Sequence, residues 1–128
     1  METGLSHTTR ITVSEADTAI AHGSGDMPVL ATPRMLALME NAAMLAVAPC
    51  LPEGSTTVGG RIESSHLKPS PVGAAVEATA VLDRVDGRKL HFTVTARQAD
   101  GTVIGEGTHL RFVVDRSRFI AGIAGGSK

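Results

Sequence analysis

The stretch TPRMLALMENAAMLAVAP, residues 32–49, constrains the fold more than any other part of the chain. Its Ala, Leu and Met are strong helix formers. Pro33 suits the first helical position, where a missing N–H costs no hydrogen bond, and Thr32 fits the cap before it. Pro49 and Pro52 end the helix. The body is apolar nearly all round, with one acid, Glu40, in its middle. A sheet covers only one face of a helix. This helix must therefore lie in a strongly curved sheet, meet a second subunit, or both.

The flanking segments supply that sheet. HTTRITV at 7–13 is rich in Thr and β-branched residues and reads as a short strand. Residues 14–31, centred on AHGSGDMP, break every periodicity and read as a loop that could act as a lid. From Ser55 the pattern is strand-like. STTVGGRIESSHLK carries a glycine pair, Gly59 and Gly60, that signals a bulge or a close approach. PSPVG is a turn, and AAVEATAVLDRV is a strand closed by the hairpin signal DGRK. LHFTVTARQ alternates, with Leu90, Phe92, Val94 and Ala96 on one face. TVIGEGTHLRFVV ends the set, with Ile104, Leu110, Phe112 and Val114 on its apolar parity, which leaves His109 facing solvent, as His91 does on its own strand. The Gly-rich end, within 117–128, reads as a flexible tail. Tight turns imply antiparallel neighbours. The expectation is one α+β domain over 1–128: a curved antiparallel sheet wrapped around one long central helix, as in the hotdog fold.

Composition removes several function classes. Lys plus Arg number 12 and Asp plus Glu 13, and no basic run occurs, so a nucleic-acid surface is not expected. Three Phe, with no Tyr or Trp, offer no base-stacking platform. One cysteine, Cys50, forms neither a disulfide framework nor a metal quartet. His22 with Asp26 in a glycine loop is too small a set for a metal. METGLSHTTR lacks an apolar core for a secretory signal, and no apolar run approaches the ~20 residues of a membrane span. The expectation is a cytoplasmic protein without metal or redox cofactor.

The segments HLKPSPVG at 66–73, LMENAAMLAVAPCLPEG around Glu40 and GTHLR at 107–111 resemble the hotdog acyl-CoA thioesterases, most closely the fluoroacetyl-CoA thioesterase type. That family carries a Thr just before the central helix, a Glu eight positions on and a His 26 positions further; here these are Thr32, Glu40 and His66. The resemblance covers residues 30–115 and implies a homodimer, or a tetramer, with sites at the subunit interface. It implies hydrolysis of a small or medium acyl-CoA, with coenzyme A entering only as part of the substrate. Family members use Phe residues near the lid to select fluoroacetyl groups, whereas this chain has no Phe before Phe92.

Thioester hydrolysis needs an attacking oxygen, a proton carrier and donors for the oxyanion. Glu40 and His66 suit proton handling and water activation, and amides at the helix start suit the oxyanion. Thr32 suits substrate positioning or nucleophilic attack. Gly59 or Gly60 lets a backbone approach the thioester, and Lys68 is placed to meet coenzyme A phosphates. Eight residues along an ideal helix span about 12 Å and rotate about 80° out of register. Thr32 and Glu40 therefore do not touch on one straight helix; either His66 and the substrate bridge them, or the groups meet across two subunits. A module that binds acyl-CoA without chemistry, and a hydratase or dehydratase of acyl thioesters, remain alternatives.

Overall fold

In the computed structural model, which describes residues 1–125, the helix over 32–47 lies in the concave face of one antiparallel sheet. The elements run β1 (Ser6–Thr12), α1 (Ala19–His22), α2 (Thr32–Val47), β2 (Ser55–Ser64), β3 (Ala75–Asp86), β4 (Lys89–Gln98), β5 (Val103–Asp115) and α3 (Arg116–Ala124). Strand order is β1-β3-β4-β5-β2, all antiparallel. The sheet curls into a half-barrel around α2, the hotdog arrangement.

α2 turns Met35, Leu38, Met39, Ala42, Ala43, Ala46 and Val47 inward. They meet Val76, Ala78, Ala80 and Leu82 of β3 and Leu90, Phe92, Val94 and Ala96 of β4. Both strands alternate buried and less buried residues, as a sheet with one covered face must. The buried cluster holds small residues from both layers, Ala42 and Ala43 of α2 and Ala78 and Ala80 of β3, which let the helix sit deep in the curl. A two-residue turn joins β3 to β4, with Gly87 at φ 62°, the positive value such a turn needs at its first position.

The glycine pair in β2 forms the expected bulge, since register against β5 shifts between Gly59 and Arg61. The 14–31 segment is more ordered than its sequence suggested. It holds a short 3-10 turn at Glu15–Asp17, the four-residue α1 and a bridge from Thr18 to Leu30. Its base is buried at Thr18, Leu30 and Ala31, while its tip at 21–28 is exposed. The expected flexible tail also needs correction. Asp115 caps α3 by accepting from the Arg118 amide, so residues 116–124 form a helix, although none of its side chains is buried; residues 126–128 lie outside the described residues. No helix among the described residues is long and apolar enough to cross a membrane.

Candidate active site

α2 starts beside the chain leaving β2. The Leu30 amide donates to the Ser70 carbonyl at 2.8 Å and the Ala31 amide to the Asp17 carbonyl at 2.9 Å. These bonds hold Ala31 extended, at φ −68° and ψ 138°, so Ala31 caps the helix and makes no side-chain cap bond. Thr32 is therefore the first helical residue rather than the cap, one position from the sequence expectation. Its hydroxyl, free of capping duty, sits 2.7 Å from His66 Nδ1.

His66 lies two residues past β2 in a segment that still follows β5. The Ser65 amide donates to the Glu106 carbonyl at 3.1 Å and the Leu67 amide to the Ile104 carbonyl at 2.6 Å. The ring is half-buried, and its Nε2 is buried with no hydrogen-bond partner among the described residues. Burial pushes the His66 pKa below its ordinary 6.5, with the Lys68 backbone opposing. The imidazole is thus neutral at pH 7, with one nitrogen on Thr32 and the other unengaged. A cleft of about 290 Å³ lies here, walled by Thr32, His66, Leu67 and Lys68 and by Ser24 and Val29 of the 14–31 segment.

Glu40 stands two turns further along α2, half-buried. It packs on Gly59: a Cβ added there would lie 2.8 Å from Glu40 Oε2. Gly59 is thus a close-approach glycine. Gly60 faces elsewhere, and a Cβ on it would fall 2.2 Å from the Phe112 ring. Beside Glu40 stand Arg111 and His109, both within 3.5 Å of the same Cβ point on Gly59. His109 was expected at the surface, yet it is 3% exposed. Pairing explains the reversal. His109 is opposite Phe92 and Arg111 opposite Leu90, and cross-strand partners share a face, so the odd residues of β5 point at α2. Leu110, Phe112 and Val114 lie on the other side. Arg111, 6% exposed, was not among the residues that sequence reasoning singled out, although GTHLR contains it.

Within one chain, then, Thr32 joins His66, while Glu40 joins Gly59, His109 and Arg111. Lys68 flanks the first group. Among the described residues, no three His, Cys, Asp or Glu side chains gather as metal ligands, His22 and Asp26 included.

These environments have a consequence for stability. Burial pushes the pKa of both His66 and His109 below 6.5. Below pH 6.5 the unfolded chain takes up protons that the folded chain refuses, so stability falls with pH until the folded values are passed. Asp17 does not contribute in this window. Burial raises its pKa, but bonds from Ser14 and Arg34 outweigh that and bring it under 3.8, so its contribution is lost only at lower pH. The thermal midpoint is expected to drop between pH 7.5 and pH 5.5; a midpoint that holds or rises over that interval contradicts the assignment.

Residues 13–117 match the sequence model of the family described as fluoroacetyl-CoA-specific thioesterase. A fluoroacetyl-CoA thioesterase of Streptantibioticus cattleyicolor is 42% identical over 94 residues, which span 73% of this chain and 66% of that protein. Among solved structures, the fluoroacetyl-CoA thioesterase FlK superposes with a TM-score of 0.90 at 32% identity, covering 100% of this chain and 98% of that one. A hot-dog-like protein from Thermanaerovibrio acidaminovorans superposes with a TM-score of 0.88 at 25% identity, covering 100% and 96%.

Proposed function

The chain belongs to the fluoroacetyl-CoA-specific thioesterase family, and from that premise we propose that it hydrolyses a small or medium acyl-CoA thioester to the free acid and coenzyme A, acting as a cytoplasmic homodimer. The observation that carries the reading is the Thr32–His66 pair, 2.7 Å apart, with the opposite ring nitrogen buried and unpartnered. A neutral imidazole in that state takes a proton from Thr32 or from water and returns it to the departing thiolate. The α2 N-terminus lies beside the pair, and its amides and dipole favour the oxygen that becomes negative as the carbonyl is attacked. Thr32 either positions the substrate or attacks it with transient acylation. Glu40 activates the hydrolytic water. Lys68 is the residue at the cleft suited to a coenzyme A phosphate.

In this proposal Glu40 reaches the thioester from the other subunit. About 12 Å of helix separates it from Thr32 on its own chain. β2 is an edge strand of ten residues, and an unpaired edge of that length is a template for a second copy. Pairing of two β2 edges around a two-fold axis is the arrangement by which, in this proposal, Glu40 of one copy meets the Thr32 end of the other α2.

Mixing dead variants tests this. Glu40→Ala and His66→Ala chains, unfolded together and refolded, form mixed dimers. If each site draws on both subunits, every mixed dimer holds one intact site, and about a quarter of wild-type thiol release returns. If each site lies within one subunit, every site carries a lesion and nothing returns. Absence of thiol release by wild type from any acyl-CoA in a panel from acetyl to octanoyl overturns the hydrolase itself.

A further inference from the structure

Arg111 is a buried cation whose hydrogen-bond partners are all neutral. Its Nε donates to Thr57 Oγ1 at 2.8 Å and its Nη2 to the Thr57 carbonyl at 3.0 Å. Its Nη1 lies 3.2 Å from His109 Nε2. The other ring nitrogen of His109, Nδ1, lies 2.7 Å from the Arg61 carbonyl and must donate to it. Nε2 then keeps its lone pair, faces Arg111 as an acceptor, and the ring is neutral. Burial, the nearby Arg111 charge and this geometry all favour that neutral form, against the pull of the Arg61 carbonyl and of Glu40.

A buried guanidinium held only by neutral groups is expensive unless a negative charge stands close. The charge at hand is Glu40. Its Oε2 lies 2.8 Å, and Arg111 Nη1 3.5 Å, from one point above Gly59, yet the two form no ion pair within 4.0 Å. Other charged groups are engaged elsewhere: Arg34 with Asp17 and Arg61 with Glu63. Asn41, next to Glu40 on α2, accepts from Thr9 of β1. Among the described residues of one chain, His109 and Arg111 are therefore the titratable groups set against Glu40, and in the dimer proposed above the partner subunit's His66 joins them. Near but not bonded, the guanidinium leaves the lone pairs of the carboxylate available for a water.

We propose that Arg111 is a positioning residue that sets its charge beside the Glu40 carboxylate at Gly59, with Thr57 and His109 as the bracket that aims the guanidinium. This rests on the role of Glu40 given above.

The test uses the full chain with acetyl-CoA as probe, and reads two signals: the pH dependence of kcat/KM, and the titration of the Glu40 side-chain carboxyl by carbon NMR, assigned with Glu40→Gln. Arg111→Met is expected to lower kcat roughly 10- to 100-fold, the scale of one general-base contribution, with KM changed less than about threefold. The acid limb of the profile and the carboxyl titration both move to higher pH, and Arg111→Lys restores most of each because it restores the charge. If folded Arg111→Met leaves the titration in place, or if Lys restores no more than Met, the proposal is overturned. Should Arg111→Met fail to fold, Thr57→Val, which removes one arm of the bracket at nearly constant volume, is expected to move the titration in the same direction by less; no movement there overturns the proposal. The carboxyl titration needs no turnover. Failure of the hydrolase reading shows as absent thiol release, and failure of this inference shows as an unmoved carboxyl.

Discussion

Glu40→Gln is expected to lower kcat/KM for acyl-CoA esters at least about 100-fold, the usual scale of an acid–base group, with the thermal midpoint nearly unchanged. The amide has the same shape and fits the same niche on Gly59. It accepts hydrogen bonds but takes no proton from water. Packing therefore survives and the chemistry does not. The carboxylate is half-buried against Gly59, where no solvent carboxylate replaces it. Activity on a panel of acyl-CoA esters, followed by thiol release, measures the effect, with circular dichroism as the folding control. A loss under about tenfold in folded protein removes Glu40 from the mechanism.

The second large effect falls on stability. Phe92→Ala is expected to cost about 3–5 kcal/mol, the range for emptying an aromatic site in a core. Phe92 is 1% exposed, at the middle of β4, and is the largest side chain in the buried cluster. The buried cluster that holds it includes Ala42, Ala43 and Ala46 of α2, side chains too short to refill the space. Domains of this size hold roughly 5–15 kcal/mol in all, so one substitution removes a large fraction. The ring also lies against His109, with centroids 6.1 Å apart, so its loss loosens the wall behind Arg111. Urea unfolding measures the cost as a lower midpoint at unchanged slope. A cost below about 1 kcal/mol would mean that the site collapses freely, against the close packing described.

Apolar alternation, β-branched content, turn signals and the all-round apolar character of α2 were together enough to locate the five strands and the helix they wrap. Glu40 stood out as the lone acid of an apolar helix and Gly59 as half of a strand glycine pair, while Thr32 and His66 were picked out by the spacing of the resembled family. β5 failed for a physical reason. Alternation rules assume that the apolar parity faces the core, and in β5 the core-facing parity holds Gly105, Gly107, His109 and Arg111. Glycines there let Met35 and the Glu63 backbone approach, and His109 and Arg111 satisfy each other and Thr57. Leu110, Phe112 and Val114 instead lie on the outer face, where Phe112 fills the space that Gly60 leaves, while Ile104 of the same parity is buried in the core. Burial of a histidine and an arginine depends on partners from β2, about fifty positions earlier, and no local pattern carries that information. The helix at 116–124 escaped because its glycines and lack of buried residues mimic a frayed end, while its cap, Asp115, belongs to the preceding strand.

The 14–31 segment is fastened at its two ends and open between them. Thr18 bridges Leu30, and the Ala19 amide donates to the Val29 carbonyl at 2.8 Å, whereas residues 21–28 contribute nothing to the core. The tip is therefore an exchangeable cassette. Its length and side chains can drift, or be swapped by an engineer, without disturbing the groups on α2, β2 and β5.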